Sequence, residues 1–226
     1  MATLHYHGHS TVSIRTDDGT RIVIDPFFTG NPRADVAVDD VEADWVLCTH
    51  GHGDHFGDAL PLVRRTGATL VSSHEIVQYA ATQGVDNAHG MGIGGGHDFP
   101  FGRVQMTVAA HGGLIEGADG PWSCTPGGFL LHVDGRRVYH AGDTALIMDM
   151  QLLAGRVDVA LLPIGDNYTM GPEDAVRAID MIGPEVVIPI HYDTMPVIEQ
   201  DAHAFARAVG SRARVVVLEP GGEHPL

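Results

Sequence analysis

The sequence is poor in cysteine and has no long apolar run. Its two cysteines, Cys48 and Cys124, do not form a C-x-x-C pair, which argues against a disulfide framework and for a reducing compartment. No segment approaches the roughly 20 apolar residues that span a bilayer, and the first residues lack the pattern of a secretory signal. We therefore expect a soluble, cytoplasmic protein without membrane contact, in which both cysteines are packing residues.

Positive charge is also scarce. The chain carries 13 Lys and Arg against 29 Asp and Glu, for a net charge of −16, and no basic run is longer than a pair. A protein that binds a phosphate backbone needs a basic patch, so nucleic acid is not an expected partner. The expected partners are a small-molecule substrate and, by default, further copies of the chain in a homo-oligomer.

The order of the apolar runs predicts a mixed α/β protein. Because the 226 residues contain no repeat or linker, we expect one domain over residues 1–226. Strand-like runs occur at 4–7, 10–16, 20–25, 45–49, 68–73, 103–110, 127–135, 136–142, 157–165, 185–190 and 214–219. Helical stretches occur at 58–67, 74–84, 145–155, 172–183 and 198–210, and glycine-rich loop or edge segments at 50–57 and 89–96. Helices that alternate with strands in each half suggest two facing sheets with helices outside.

Metal-binding residue types follow several of these strands. The chain contains 15 histidines, too scattered for a purification tag. His50, His111, Asp143 and His191 are each the first strong ligand type beyond an apolar run. Because neighbouring strands end along a common edge, we expect these residues to converge on rigid supports, as a metal site requires.

The densest cluster of potential ligands lies within six positions: His50, His52, Asp54 and His55. Gly51 and Gly53 separate them and are expected to allow backbone conformations that other residues avoid. His50 and His52 point to the same side if extended, so they can bind one ion together.

The predicted ligands divide between two ions. The first ion is assigned to His50, His52 and His111. The second is assigned to Asp54, His55 and His191, with Asp143 as a bridge. About three protein ligands per ion leave a position open, which is typical of a catalytic rather than a structural site.

Other residues are weaker candidates. His89 and His97 lie in glycine-rich sequence upstream of His111 and are the alternatives for its place. His9, between two strands, can reach the rim of the site. Asp25 is a candidate to orient a metal-bound imidazole, and the competing interpretation is a residue that starts a turn. Packing or surface roles are expected for His5, His7, His74, His132, His140, His203 and His224.

The motif His50-x-His52-x-Asp54-His55, with the three later ligands in that order, closely resembles the metallo-β-lactamase superfamily. The resemblance implies an αββα sandwich with a dinuclear site at one edge. More narrowly, the chain is similar to small bacterial and archaeal metal-dependent hydrolases akin to the ascorbate-6-phosphate lactonases. The motifs that carry this likeness are GHS at 8–10, DPFFTGNP at 25–32, THGHGDH at 49–55, AHGG at 110–113, HAGDTAL at 140–146, LPIGDNYTMGPEDA at 162–175 and PIHYDTMPVIEQD at 189–201.

Asp193 departs from the family pattern, in which asparagine is expected two residues beyond the last ligand. A carboxylate there can alter the surroundings of His191 or repel an anionic substrate. The chain is also short relative to true β-lactamases and shows no obvious substrate-gripping lysine, which argues against antibiotic hydrolysis.

The ligand set predicts hydrolysis of a small ester, lactone or phosphoester by a metal-bridging hydroxide that Asp54 orients. Two cations lower the pKa of a shared water to about 7 and polarise the oxygen under attack. The candidates to protonate the leaving group are Asp166, Asn167 and Tyr192, for which structural roles are the alternative. Zn²⁺ is the expected metal, and Mn²⁺, Ni²⁺ and Fe²⁺ have similar ligand preferences.

Two other functions are considered. An iron-dependent oxidoreductase fits the donors, but di-iron reductases of the superfamily typically have a carboxylate in place of His52. They also carry a flavin domain, for which 226 residues leave no room. A non-catalytic metal-binding module is the third possibility, and the retention of all seven ligands argues against it.

Overall fold

The computed structural model describes residues 1–117 and 120–226, which form two large facing β-sheets with helices on the outer faces and a separate two-stranded sheet. Within these residues the strands are, in chain order, β1 (Thr3–Gly8), β2 (Thr11–Arg15), β3 (Arg21–Ile24), β4 (Trp45–Leu47), β5 (Thr69–Ser73), β6 (Ala88–Met91), β7 (Gly96–Phe99), β8 (Gly102–Val108), β9 (Leu114–Gly117), β10 (Gly120–Ser123), β11 (Gly127–Val133), β12 (Arg136–His140), β13 (Val159–Pro163), β14 (Val186–Ile190), β15 (Arg214–Val215) and β16 (Glu223–Pro225). The α-helices are α1 (Gly53–Phe56), α2 (Ala59–Thr66), α3 (His74–Thr82), α4 (Pro172–Ile182) and α5 (Ala202–Val209).

Each large sheet has seven strands, part antiparallel and part parallel. The first has the order β16-β1-β2-β3-β4-β5-β6, and its parallel pairs begin at β3. The second has the order β15-β14-β13-β12-β11-β8-β7, and β12 to β15 are parallel. Helical segments connect the parallel strands in the sequence, because a parallel pair needs a crossover connection. The αββα sandwich is therefore confirmed.

The central strands are apolar on both faces because one face of each sheet packs against the other sheet and the opposite face packs against helices. In β3, Ile22 and Ile24 face the other sheet, whereas Val23 packs under the helices. In β13, Val159 and Leu161 face the other sheet, and the alternate residues face α4 and α5. Full burial of each such side chain contributes about 2 kcal/mol to folding. This double burial explains why these runs show no polar alternation.

Some element boundaries differ from the sequence prediction. The helix expected over 145–155 is only a 3₁₀ helix at Met148–Leu153, and the one expected from 198 begins at Ala202, after the cap of Asp201. The strand expected over 214–219 is only β15. The glycine-rich stretch 50–57 contains α1, and 89–96 contributes to the edge strands β6 and β7. The hairpin of β9 and β10, and β16, were not predicted.

Cys48 and Cys124 are both buried and unpaired, as expected of packing residues. Across residues 1–117 and 120–226, no helix has the length and hydrophobicity needed to traverse a bilayer.

Candidate metal centre

Strand ends of both sheets bring the predicted ligands to one edge of the sandwich. His50 follows β4, His111 follows β8, Asp143 follows β12 and His191 directly follows β14. His50, Asp143 and His191 are almost fully buried. Because the supporting strands lie in the centre of the fold, their positions are defined by core packing rather than by flexible loops.

Three histidines form the first group of possible metal donors. His52 Nδ1 lies 3.0 Å from His50 Nε2 and 3.3 Å from His111 Nε2. Their ligand atoms all lie within 4.8 Å of one another, which is close enough for one cation. These are the residues that the sequence assigns to the first ion.

The second group contains the three residues assigned to the second ion and one more, His9. Asp54 Oδ2 lies 3.9 Å from Nε2 of both His55 and His191, and 3.1 Å from His9 Nε2. Both His9 nitrogens face a partner, because His9 Nδ1 lies 2.6 Å from Thr194 Oγ1. His9 is thus placed to orient Asp54 from inside the protein.

Asp143 lies between the two groups. Its Oδ2 is 3.0 Å from His191 Nε2 and 3.5 Å from His111 Nε2, and its Oδ1 is 3.3 Å from His55 Nε2. One carboxylate therefore faces donors of both groups.

Asp25 supports two of the histidines from behind. Its carboxylate accepts hydrogen bonds from Thr49 N and Thr49 Oγ1, both at 2.7 Å, and from His55 Nδ1 at 2.8 Å. The Thr49 hydroxyl donates to Asp25, so it accepts from His50 Nδ1 at 3.0 Å. Because these hydrogen bonds engage both Nδ1 atoms, the Nε2 atoms of His50 and His55 face the centre of the cluster.

The backbone is strained where several of these side chains attach. His9, Asp25 and His191 have φ angles of 58°, 51° and 54°, in the left-handed region that non-glycine residues rarely adopt. Such conformations cost about 1–3 kcal/mol each and persist only where surrounding packing holds them. They cluster here because the chain turns sharply at strand ends to present the side chains.

The electrostatics of the cluster couple its carboxylates to its histidines. Burial opposes the charged form of Asp143, but His55 and His191 hold the pKa of this carboxyl well below its usual range. Burial also disfavours a protonated His55, yet Asp143 and Asp25 raise the pKa of its imidazole well above the usual value. Burial lowers the pKa of His9 to about 4, against the effect of Asp54, so His9 is neutral at pH 7.

The donors fit a divalent cation. His55 Nε2 and Asp143 Oδ1 are buried and make no hydrogen bond, which is costly unless something else satisfies them. Imidazole nitrogens and carboxylate oxygens are the ligands that zinc and similar metals prefer. A cation between these atoms would satisfy both, so the histidine and aspartate cluster is capable of binding metal.

A pocket of about 310 Å³ opens beside the cluster. Besides five of the predicted ligands, Tyr168 and Met195 line it, and 53% of Tyr168 is exposed. Both were missed in the sequence, although they lie in the motifs at 162–175 and 189–201. Nothing in their local pattern distinguishes them from ordinary loop residues.

The candidates for leaving-group protonation lie elsewhere. Asp166 and Asn167 are exposed, and Tyr192 is buried. Among the described residues that line the pocket, none of these three occurs. The Asp193 carboxylate has other partners: its Oδ1 accepts from Gln200 N at 2.9 Å, and its Oδ2 lies 4.0 Å from the Arg33 guanidinium. Among the described hydrogen bonds and ion pairs, none joins the Asp193 carboxylate to the His191 imidazole.

The alternatives to His111 are not at the site. His89 and His97 pack against each other, with ring centroids 4.3 Å apart, beside Phe99. His140, expected to have a packing role, lies 2.9 Å from Ser10 O and so links β12 to the turn that carries His9.

Gly51 and Gly53 were expected to adopt backbone conformations that other residues avoid, but neither has a positive φ. A Cβ on Gly51 would lie 2.3 Å from Ile115 Cγ1, so this position needs glycine for close packing. A Cβ on Gly53 would meet nothing within 4 Å.

Comparisons with known proteins agree with this architecture. The family model described as "Beta-lactamase superfamily domain" matches residues 3–191. A UPF0173 metal-dependent hydrolase of Heliobacterium modesticaldum is 50% identical over 231 residues, covering 98% of this chain and 96% of that protein. A second one, from Enterococcus faecalis, is 48% identical over 220 residues, covering 95% and 96%.

Among solved structures, a metallo hydrolase from the archaeon Ignicoccus hospitalis superposes with a TM-score of 0.88 at 38% identity, covering 99% of this chain and 97% of that one. The superfamily predicted from the motif at 50–55 is thereby confirmed. The chain belongs to the metallo-β-lactamase superfamily and, within it, to the UPF0173 metal-dependent hydrolases.

Proposed function

We propose that this protein uses two divalent cations, held by the histidine and aspartate cluster, to hydrolyse a small ester, lactone or phosphoester. The observation that supports this most directly is the position of Asp143. Its carboxylate lies 3.0 to 3.9 Å from four imidazoles: His50, His55, His111 and His191. A carboxylate shared by two groups of donors is suited to a dinuclear centre.

The proposed ligands follow the two groups. His50, His52 and His111 would hold one cation, and Asp54, His55 and His191 the other, with Asp143 between them. His9 is excluded from the proposed ligands because both of its nitrogens already face partners. About three protein ligands for each cation leave room for substrate.

When bound, the cations would supply a hydroxide nucleophile at neutral pH and polarise the carbonyl or phosphoryl oxygen under attack. The chain's own residues hold the geometry for this chemistry. Asp25 and Thr49 fix the imidazoles of His50 and His55, while His9 orients Asp54. Asp54 is half-buried at the pocket, where its carboxylate can also orient the nucleophile.

The pocket favours an uncharged substrate. Among its described lining residues Tyr168 and Met195 are the non-ligand side chains, no arginine takes part, and the chain contains no lysine. An anionic substrate would depend on the cations alone for charge neutralisation. We therefore expect lactones and simple esters to react faster than phosphodiesters.

Zinc is the proposed metal, because its preference for imidazole and carboxylate ligands matches the cluster. Manganese, nickel and iron have overlapping preferences. The oxidoreductase alternative requires iron, so an absorption spectrum after aerobic purification separates the two: bound zinc is colourless, whereas bound iron is not.

The experiment is to replace His52 or Asp54 with alanine and to assay lactone, ester and phosphodiester substrates while measuring bound metal by mass spectrometry. We expect loss of turnover together with loss of bound metal. Undiminished turnover in a correctly folded variant would contradict the proposal. His132→Ala is the matched control, because His132 is an exposed histidine on β11 and should change neither quantity.

A further inference from the structure

A second cluster of metal-binding side chains lies outside the proposed catalytic centre. His5 and His7 are alternate residues of β1, and Asp35 lies in the loop that follows β3. We propose that His5, His7 and Asp35 form an additional site for a divalent transition-metal cation. The sequence had suggested only packing or surface roles for both histidines.

The geometry brings three donors to one point. Asp35 Oδ2 lies 2.8 Å from His5 Nε2, and Asp35 Oδ1 lies 2.8 Å from His7 Nδ1. The ligand atoms all lie within 4.8 Å of one another. The two imidazole rings are stacked with centroids 4.4 Å apart, because residues two apart on a strand project to the same side.

The far nitrogens of both rings also have partners. His7 Nε2 lies 2.9 Å from Ser13 Oγ, and His5 Nδ1 lies 3.5 Å from Glu223 Oε1. Metal-binding histidines commonly donate their second N–H to an oxygen of this kind, which directs the other nitrogen to the metal. These contacts leave His5 Nε2 and His7 Nδ1 directed at Asp35.

Charge and access favour a cation. The Asp35 carboxylate supplies a negative charge beside two imidazoles, of which His7 is buried and His5 is half-buried. Two of the nearby arginines are already engaged, Arg21 by Asp44 and Arg33 by Glu219. His5 and His7 line a groove of about 420 Å³, through which an ion and its remaining water ligands can enter.

The donor set selects the class of cation. Two imidazoles and one carboxylate suit zinc, nickel, cobalt or iron, whereas calcium and magnesium prefer oxygen ligands. A bound ion would join the loop that carries Asp35 to β1. Arg33 of the same loop lies 4.0 Å from Asp193, so the ion would also steady a segment next to the His191 loop.

The test is the metal stoichiometry of the protein after dialysis against buffered micromolar zinc. The double variant His5→Gln/His7→Gln should bind one cation per chain fewer than the wild type. The matched control is His89→Gln/His97→Gln, another pair of adjacent imidazoles, which should bind as many as the wild type. Equal stoichiometry in wild type and the His5/His7 variant would overturn the proposal.

A second variant covers the case in which the double substitution impairs folding. Asp35→Asn keeps the side-chain volume and removes only the negative charge. Zinc titration followed by calorimetry should show that the Asp35→Asn variant has lost one class of binding sites, whereas the sites of the histidine and aspartate cluster of the proposed catalytic centre remain. If Asp35→Asn retains every binding event of the wild type, the three residues form only a hydrogen-bonded network.

Discussion

Asp25 Oδ2 lies 2.8 Å from His55 Nδ1, and both side chains are fully buried. The contact joins the end of β3 to α1, 30 positions further along the chain. Asp25 makes no contact with the pocket itself, yet it determines which nitrogen of His55 faces Asp143. The orientation of a proposed metal ligand is thus decided by a carboxylate behind it.

Asp25→Asn should lower metal affinity by about 10- to 100-fold, because an amide cannot accept all the hydrogen bonds that now orient His55 and Thr49. Competition with a chromophoric chelator measures this affinity. The control is Asp158→Asn, a buried aspartate that pairs with Arg137 away from the cluster. Equal metal affinity in Asp25→Asn and wild type would rule out the orienting role.

His9→Ala should reduce kcat by about tenfold while the number of bound cations stays the same, because in the proposed centre His9 positions Asp54 and is not a ligand. Thr194→Val should have a smaller effect in the same direction, since Thr194 contacts only the far side of the His9 ring. Steady-state kinetics and metal analysis of the same samples provide the two measurements. Loss of one cation per chain in His9→Ala would instead identify His9 as a ligand.

Two glycines of the same motif should respond differently to alanine. Gly51→Ala should destabilise the protein by about 1–3 kcal/mol, because the new methyl group would overlap Ile115. Gly53→Ala should be neutral or slightly stabilising, since its Cβ meets open space at the start of α1. Urea unfolding of both variants checks the contrast, and equal stabilities would show that close packing does not explain Gly51.

The pairing of Asp158 with Arg137 should make stability depend on pH. Hydrogen bonds from Arg137 lower the pKa of Asp158 below its ordinary value of 3.8. A carboxyl whose pKa is lower in the folded state stabilises the fold above the ordinary pKa, and this contribution disappears as the pH falls through the folded value. Asp158→Asn should therefore cost about 1 kcal/mol at pH 7 and progressively less below pH 3.8.

Urea unfolding of metal-free wild type and Asp158→Asn at several pH values measures this difference. Because all other titrating groups are common to both proteins, their contributions cancel in the comparison. A difference that stays constant down to pH 2 would contradict the assignment.

Much of the histidine and aspartate cluster could be predicted because its residues carry local signals. His50, His52, Asp54 and His55 are concentrated within six positions, and the other three follow apolar strands. Strands that run in the same direction end along a shared edge, so their order in the sequence indicates which residues converge. The 3₁₀ helix at Met148–Leu153 was mistaken for an α-helix because its composition is equally apolar.

The contacts between side chains far apart in the sequence left no such signal. His9 and Asp54 are 45 positions apart, and His9 and Thr194 are 185 apart. His5, His7 and Asp35 meet because the loop after β3 folds back over β1, which no periodicity indicates. Tyr168, in the segment after β13, also borders the pocket only through tertiary packing.

The sequence by itself determined most of the strand and helix order, the family and the residue types able to bind metal, because hydrophobic periodicity and short motifs are local properties. Only the tertiary structure decided that Asp143 lies between two groups of donors, that His9 supports Asp54 and that a second cluster forms on β1. These relationships are distances between side chains on separate elements, and packing of the whole core sets them.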